Sequence, residues 1–200
     1  MSDTITYYQD NSKSFFDSTV NADVNSLYDH FIKYVPIGSY ILDFGCGSGR
    51  DTKYFLERGY RVDAIDGSDK LCQLASEHTG ITVKCMDYMS LVSHEEYDAI
   101  WACASLLHIP SEKLPAIMSK LKEALKPSGI VYLSFKFGDY EGVRDGRYFT
   151  DMTSERFSAI LNNIQGFVMV EEWFSEDVRP EKNTKWYNAI IYKEQKELID

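Results

Sequence analysis

The sequence predicts an α/β fold in which a mostly parallel sheet is covered by helices on both faces. Short apolar runs of strand length alternate with longer segments of helical spacing, an alternation that is typical of parallel sheets. A glycine-rich turn joins the first predicted strand to the next helix, and the last two predicted strands follow one another without a helix between them. The 200 residues suffice for one such domain.

Each element follows from the spacing of apolar residues and from the turn residues that bound it. Helical spacing predicts helices at 24–35, 50–58, 68–78, 111–125 and 153–162. Short apolar runs between turn residues predict strands at 39–44, 60–65, 81–85, 97–103, 130–137, 167–174 and 185–192. Gly59 and Gly80 stand at C-terminal cap positions, and Pro115 interrupts the fourth helix early.

The C-terminal third closes the predicted sheet. The segment 138–147 is rich in glycine and charge and is expected to be a loop. The last two of the seven strands are expected to pair antiparallel at one edge of the sheet, because a short connection joins antiparallel neighbours.

Composition narrows the function classes. The net charge of −10 leaves no basic excess to neutralise phosphates, so a nucleic-acid partner is not expected. The N-terminus lacks the apolar run of a signal peptide, and no stretch of about 18 apolar residues could span a membrane, so a cytoplasmic protein is expected. The cysteines and histidines show no metal-ligand spacing, so the cysteines are expected to be reduced core residues and no metal site is predicted.

The turn after the first strand has a specific glycine spacing. Gly45 and Gly47 match the first two glycines of a dinucleotide-binding turn, but the third glycine is Gly49, one residue early, and Arg50 takes its expected place. Asp43 precedes the turn, which is awkward for a pyrophosphate and suitable near a cationic ligand. The turn therefore favours a nucleotide-type ligand other than a dinucleotide.

Carboxylates also follow the second and third strands. Asp66 at the end of the second strand can accept hydrogen bonds from both hydroxyls of a ribose. Asp87 can accept a hydrogen bond from an exocyclic amine, and its neighbours Met86 and Tyr88 can clamp a flat base. Because the carboxyl ends of parallel strands meet at one edge, these residues are expected to surround one cleft.

These motifs resemble those of the class I S-adenosylmethionine-dependent methyltransferases over residues 39–135. The resemblance implies a Rossmann-like fold, S-adenosylmethionine as cofactor and S-adenosylhomocysteine as product. It implies ribose contact by Asp66, adenine contact by Asp87 and a position for Asp43 near the cofactor amino group. The full set of implied cofactor-binding residues is Asp43, Gly45, Cys46, Gly47, Gly49, Arg50, Asp66, Gly67, Met86, Asp87, Tyr88, Ala102 and Cys103.

The fourth strand and its loop, Trp101–Pro110, resemble the small-molecule methyltransferases of the ubiquinone-biosynthesis and tellurite-resistance type. The segment lacks the Asn/Asp-Pro-Pro-aromatic pattern of enzymes that methylate amides or base amines. The backbone of Ala102 and Cys103 is expected to pass near the cofactor sulfur. His108 faces the expected methyl-transfer space and is the candidate proton acceptor, with a bond to a neighbouring carbonyl as the alternative.

Substrate-side residues are expected at both ends of a single domain, 1–200. Residues 1–35 would form a helical lid, 39–137 the cofactor-binding core, and 138–200 the substrate-side loop, helix and closing strands. Aromatic residues of the lid suit a sulfonium, although helix packing would explain them equally. The arginines suit an acidic substrate, and this is favoured over simple pairing with nearby Asp or Glu. The candidate substrate residues are Tyr7, Tyr8, Arg144, Arg147, Tyr148, Arg179 and Trp186.

The sequence thus predicts methyl transfer to an oxygen or nitrogen of a small molecule, by a monomer or homodimer. One alternative is a regulatory protein that binds S-adenosylmethionine without catalysis. Another is a nicotinamide dehydrogenase, which Arg50 in place of a third glycine disfavours.

Overall fold

The computed structural model describes residues 2–179 and 183–195. Its strands are β1 (Tyr40–Phe44), β2 (Arg61–Asp66), β3 (Lys84–Cys85), β4 (Tyr97–Ala102), β5 (Leu125–Lys136), β6 (Glu141–Arg144), β7 (Arg147–Thr150), β8 (Phe167–Glu176) and β9 (Lys185–Lys193). Its α-helices are α1 (Ser2–Asp10), α2 (Ser12–Thr19), α3 (Asn25–Phe31), α4 (Arg50–Glu57), α5 (Asp69–Thr79), α6 (Leu114–Ala124) and α7 (Ser154–Asn162).

Seven of these strands form one sheet in the order β3-β2-β1-β4-β5-β9-β8. Strands β1 to β5 run parallel, whereas β9 is antiparallel to both β5 and β8. The predicted fold class and the antiparallel edge pair are therefore confirmed. The strand order reverses between β1 and β4, and at such a point the loops separate to open a crevice beyond the carboxyl ends of the strands.

The two faces of the sheet bury different side chains of the same strands. Leu42 and Ile100 belong to the core cluster beneath α6 and α7, whereas Ile41 and Trp101 belong to the cluster beneath α3 and α4. Successive side chains of a strand point to opposite faces, so a strand covered on both faces must be apolar throughout. This double burial fixes β1 and β4 at the centre of the sheet.

The segment 138–147 differs from the predicted loop, because β6 and β7 form a separate two-stranded hairpin. Arg144 pairs with Arg147 across a two-residue turn in which Asp145 and Gly146 have φ angles of 51° and 74°. Positive φ at both turn positions matches the twist of the flanking strands, and Asp-Gly favours such a turn. The Asp-Gly pair was thus a hairpin signal.

Smaller differences concern element ends. Residues 2–19 form two helices, and the strand predicted at 81–85 shortens to Lys84–Cys85. Pro115 lies in the first turn of α6, where its missing N–H costs nothing, so it begins this helix instead of interrupting it. Cys85 is exposed, contrary to the predicted core position. Among the described residues, no helix is long and apolar enough to cross a membrane.

Candidate active site

The glycine turn lies where the strand order reverses. Gly45, Gly47 and Gly49 all have positive φ, and the N–H groups of Gly45 and Cys46 donate to the carbonyl of Ile65 at 2.9 and 3.0 Å. At Gly45, with φ of 86°, an added Cβ would collide with the Ser105 side chain and the Tyr88 hydroxyl. A left-handed backbone with no room for a side chain requires glycine here.

Two adjoining cavities open beside this turn, one of about 90 Å³ and one of about 510 Å³. Both lie at the carboxyl edge of the parallel strands. Their walls share Tyr8, Phe15, Gly45, Gly47, Ala104 and His108. The smaller cavity extends toward β2 and β3, and the larger one toward β5, β7 and β9.

Asp66 is the polar centre of the smaller cavity. Its carboxylate accepts hydrogen bonds from the N–H groups of Gly47 at 2.9 Å and Ser68 at 2.8 Å. Burial raises the pKa of this carboxyl, and the backbone hydrogen bonds act in the opposite direction. A carboxylate desolvated in this way favours ligands that donate hydrogen bonds, such as a ribose diol.

The walls of the smaller cavity suit a flat base. Met86 and Tyr88 line it, and the Tyr88 ring packs against Phe44 with centroids 4.5 Å apart. Asp87 lines it too, although its side chain is exposed and accepts a hydrogen bond from the N–H of Met89 at 2.7 Å. Ser105 Oγ is buried with no partner within the described part of the chain. Flat apolar walls, a carboxylate and an unsatisfied hydroxyl fit the adenosine part of S-adenosylmethionine.

Helices α1 and α2 cover this edge. Ile5 packs beside Gly67, and Gln9 Oε1 accepts hydrogen bonds from Ser68 Oγ at 2.5 Å and from the N–H of Lys70 at 2.9 Å. The Phe15 ring lies against Gly47, within 3.1 Å of where a Cβ would stand. The two helices therefore lie directly over the glycine turn and Asp66.

Arg50 and Asp51 form a buried ion pair in the wall of the larger cavity. Arg50 donates to the Asp51 carboxylate at 2.6 and 3.0 Å, and Tyr28 and Trp101 donate to the same carboxylate at 2.5 and 2.8 Å. Burial opposes the charge of Asp51, but Arg50 and these hydrogen bonds outweigh it and leave the pKa of Asp51 lowered. The pair fixes the guanidinium at the cavity wall.

His108 and Tyr8 meet where the two cavities adjoin. The Tyr8 hydroxyl lies 2.8 Å from His108 Nε2, and His108 Nδ1 lies 2.7 Å from the carbonyl oxygen of Tyr148. Burial lowers the pKa of His108 to about 4, with nearby Arg147 acting in the same direction. The imidazole is therefore neutral at neutral pH, and Nε2 is the nitrogen that faces the Tyr8 hydroxyl.

Cys103 lines the larger cavity, but its chemistry is that of a packing residue. Burial raises the pKa of its thiol to about 12, so the protonated form predominates at neutral pH.

The structure brings together most residues predicted for the site. The smaller cavity is lined by Gly67, Met86, Asp87 and Tyr88 in addition to Asp66, and the larger one by Tyr7, Cys46, Arg50, Arg147, Arg179 and Trp186.

Several predicted residues lie elsewhere. Asp43 lies beneath the turn, where burial raises its pKa well above the usual range and it accepts a hydrogen bond from Thr52 at 2.5 Å. Gly49 is the N-cap residue that precedes α4, and an added Cβ there would lie 2.8 Å from the Thr79 side chain, so its role is helix packing. Ala102 is fully buried in the core. None of the three lines either cavity.

Two predicted substrate residues serve the hairpin. Arg144 donates to both oxygens of Asp151 at 2.9 and 2.5 Å, and the Tyr148 hydroxyl donates to Glu141 at 3.0 Å. Neither side chain lines a cavity. Tyr148 instead contributes its carbonyl to His108.

Sequence reasoning missed residues that only tertiary contacts place at the site. Ala104 adopts a φ of 50° and is held by a hydrogen bond from its N–H to Ser134 Oγ at 2.8 Å. A left-handed conformation is rare for alanine and marks a backbone fixed by its surroundings. The other missed residues include Phe15, Ser105 and Lys136. Among the described residues, no group of three or more His, Cys, Asp or Glu could hold a metal ion.

The glycine turn after β1, the carboxylate at the end of β2 and the strand order are arranged as the resemblance to the class I methyltransferases implies. Residues 41–129 match the family described as "Methyltransferase domain". The ubiquinone biosynthesis O-methyltransferase of Dechloromonas aromatica is 31% identical over 104 residues, which cover 48% of this chain and 44% of that protein. The chain thus spans less than half the length of this relative.

Solved structures share the fold over most of the chain. An S-adenosylmethionine-dependent methyltransferase of Methanosarcina mazei has a TM-score of 0.75 at 21% identity, over 84% of this chain and 98% of that one. The 1,6-didemethyltoxoflavin-N1-methyltransferase of Burkholderia thailandensis, solved with 1,6-didemethyltoxoflavin and S-adenosylhomocysteine, has a TM-score of 0.75 at 20% identity, over 96% and 85%. At 21% and 20% identity, these two structures confirm the predicted fold.

Proposed function

We propose that this protein transfers a methyl group from S-adenosylmethionine to an oxygen or nitrogen of a small molecule. One observation carries the proposal. The cavity centred on Asp66 adjoins a cavity of about 510 Å³, and Tyr8 and His108 stand where they meet. A donor cavity beside a separate acceptor cavity is the arrangement that methyl transfer requires, because both reactants must be held in line.

The adenosine part of the cofactor would fill the smaller cavity, and its methionyl part would follow the glycine turn to Arg50 at the wall of the larger one, leaving the rest of that cavity to the acceptor. Asp66 would accept hydrogen bonds from its ribose, Met86 and Tyr88 would enclose its adenine, and Gly45 to Gly47 would lie along its methionyl part. Arg50 would bind its carboxylate. When bound, S-adenosylmethionine supplies a sulfonium methyl group that is already activated for displacement.

The chain's own contribution is positioning and proton removal. The lid helices α1 and α2 would exclude water from the junction of the cavities, which strengthens the electrostatic interactions there. Neutral His108 would accept the proton of the acceptor, through the Tyr8 hydroxyl that now occupies its Nε2. The neighbouring backbone at Ala104 would keep the acceptor beside the methyl group.

The class of acceptor is inferred from the named relatives and from the charge of the larger cavity. The relatives named above act on small molecules, one as an O-methyltransferase and one as an N1-methyltransferase. An acidic acceptor is favoured by the cations of the larger cavity. No comparison supports the regulatory alternative, and the presence of an acceptor cavity disfavours it. A cytoplasmic location and a monomer or homodimer stay predictions.

Release of S-adenosylhomocysteine tests the proposal. The purified protein is incubated with S-adenosylmethionine and a panel of phenols, amines and carboxylic acids, and the product is quantified by mass spectrometry. We expect acceptor-dependent release that Asp66→Asn reduces at least about tenfold, since hydrogen bonds to a charged group are lost.

A matched control lies on the same strand. Asp63 pairs with Lys84 at 3.2 Å and accepts from Tyr97 at 3.0 Å, outside both cavities, so Asp63→Asn should leave turnover unchanged. Tight binding of S-adenosylmethionine with no release for any acceptor would favour the regulatory alternative instead.

A further inference from the structure

Four Lys and Arg side chains line the larger cavity, and among the described residues two of them are paired with carboxylates and two are not. Arg50 and Arg179 each donate two hydrogen bonds to an aspartate, Asp51 and Asp177 respectively. Lys136 and Arg147 line the same cavity and form no ion pair with the carboxylates of residues 2–179 and 183–195. In a chain of net charge −10, two cations left without a carboxylate partner in a cavity call for a counterion.

Both cations are held in place by aromatic rings. Lys136 Nζ lies 4.1 Å from the centroid of the Phe149 ring, and the Arg147 guanidinium lies 5.1 Å from the same centroid and 4.4 Å from that of Tyr7. Phe149 itself is buried. Cation–π contacts of this kind orient a charge without neutralising it. The pair is thus preorganised on one wall.

The Arg147 guanidinium also has hydrogen-bond donors without a partner among the described residues. Arg147 Nε is buried and has no partner within the described part of the chain, and the Nη1 contact to the Tyr8 hydroxyl is long, at 3.5 Å. A guanidinium has five N–H donors arranged to match two oxygens of a carboxylate or phosphate. An unmet buried donor costs free energy that such a ligand would recover.

The surrounding charges favour an anion on this wall. Burial and the nearby guanidinium groups of Arg144 and Arg147 lower the pKa of Lys136, a sign that positive charge accumulates there. Asp151 already accepts both hydrogen bonds of Arg144. The two further acids that line the cavity, Asp145 and Glu176, belong to exposed residues.

We propose that Lys136 and Arg147 bind a carboxylate or phosphate group of the methyl acceptor, so that the substrate is an organic anion methylated at a different atom. This inference rests on the proposed function and adds the substrate class to it. Arg147 also touches Tyr8, so an acceptor anchored by its anion would reach toward the junction of the two cavities. The anchor and the proton acceptor would then hold opposite ends of one molecule.

Small probe ligands test the anion subsite before the acceptor is known. Benzoate, phenyl phosphate and neutral benzamide are titrated into the full chain saturated with S-adenosylhomocysteine, and thermal shift and calorimetry report binding. We expect at least one anion to bind about tenfold tighter than benzamide. The tighter of the two anions identifies carboxylate or phosphate as the group recognised.

Matched variants assign the binding to the two cations. Lys136→Met and Arg147→Gln should each weaken the anion at least about tenfold and leave the affinity for S-adenosylhomocysteine within about twofold. Arg147→Lys keeps the positive charge but loses the paired N–H donors of the guanidinium, so it should recover part of the lost anion affinity. Such a recovery would also show that the loss in Arg147→Gln is not a folding defect. Lys185→Met and Arg58→Gln remove cations that also lie over aromatic rings but outside both cavities, and should change nothing.

The outcomes separate the two proposals. Equal binding of anions and benzamide, unchanged anion affinity in both variants, or no saturable anion binding would overturn the anion subsite alone. A loss of S-adenosylhomocysteine affinity in Arg147→Gln would also overturn it, by assigning the cation to the cofactor. Failure of the unmodified protein to bind S-adenosylhomocysteine would contradict the proposed function itself.

Discussion

The hydroxyl of Tyr8 donates its hydrogen to His108 Nε2 over 2.8 Å. The direction follows from the other ring nitrogen, because Nδ1 lies 2.7 Å from the Tyr148 carbonyl, which can only accept, and so must carry the proton. Burial lowers the pKa of His108 to about 4, so the imidazole is neutral at neutral pH and its Nε2 lone pair accepts the Tyr8 hydrogen. This contact joins α1 to the catalytic edge of the sheet and underlies the first two predictions.

Replacing Tyr8 by phenylalanine keeps its ring contacts with Phe15 and His108 and removes the hydroxyl. We expect kcat for a hydroxyl acceptor to fall about a hundredfold, since general-base assistance is lost, with S-adenosylhomocysteine affinity unchanged. Steady-state kinetics and calorimetry measure the two. Tyr140→Phe is the control, because its hydroxyl donates to the Val143 carbonyl on the hairpin, outside both cavities. An unaltered kcat would remove Tyr8 from the proton path.

The depressed pKa of His108 predicts a pH dependence of stability. As pH falls below the ordinary histidine value of 6.5, the unfolded chain takes up a proton that the folded protein resists until about pH 4. The free energy of unfolding should therefore decrease by about 3 kcal/mol more in the native protein than in His108→Gln between pH 6.5 and 4. Urea titrations of both proteins across this range measure the difference. Parallel curves would show that His108 is not desolvated.

A substitution in the glycine turn should weaken the binding of S-adenosylhomocysteine, and this effect can be separated from backbone strain. Gly45→Ala places a Cβ against Ser105 and Tyr88 in a left-handed conformation, so the turn must move and affinity for S-adenosylhomocysteine should fall at least about tenfold. At Gly38, which has a φ of 89°, an added Cβ would have no atom within 4 Å. Gly38→Ala therefore introduces backbone strain without a steric clash and should lower the free energy of unfolding by about 1 to 2 kcal/mol. Calorimetry and thermal unfolding distinguish binding from stability. Similar affinities in both variants would contradict close ligand approach at Gly45.

The carboxylate of Asp51 should be a large single contributor to stability. Asp51→Asn removes the buried carboxylate that pairs with partly buried Arg50 and accepts from Tyr28 and Trp101, which should lower the free energy of unfolding by about 3 kcal/mol. The half-exposed pair of Asp98 and Lys126, at 2.7 Å, is the comparison, and its removal should cost at most about 1 kcal/mol. Urea denaturation measures both. Equal losses would mean that water screens the Asp51 cluster as well.

Most of the fold could be predicted from local sequence patterns. Strands β1 and β4 are apolar except for Asp43 and Asp98, and the sequence marks clearly the strand ends at which the glycine turn and Asp66 lie. The hairpin was missed because segment 138–147 is polar on both faces, so no apolar alternation revealed β6 and β7. Asp43 was placed at the cofactor because it precedes the turn, although its side chain points under α4 to Thr52.

The sequence by itself determined the class of fold, because the strands and turns depend on residues close together in the chain. For the same reason it could predict the edge where the cofactor would bind and the carboxylate that would contact its ribose. Only the tertiary structure decided which cations have no carboxylate partner within residues 2–179 and 183–195. Arg144, Arg147 and Arg179 look alike in sequence, but two meet an aspartate and Arg147 meets rings instead. Lys136 joins Arg147 through packing on Phe149, a contact between strands that no local pattern encodes.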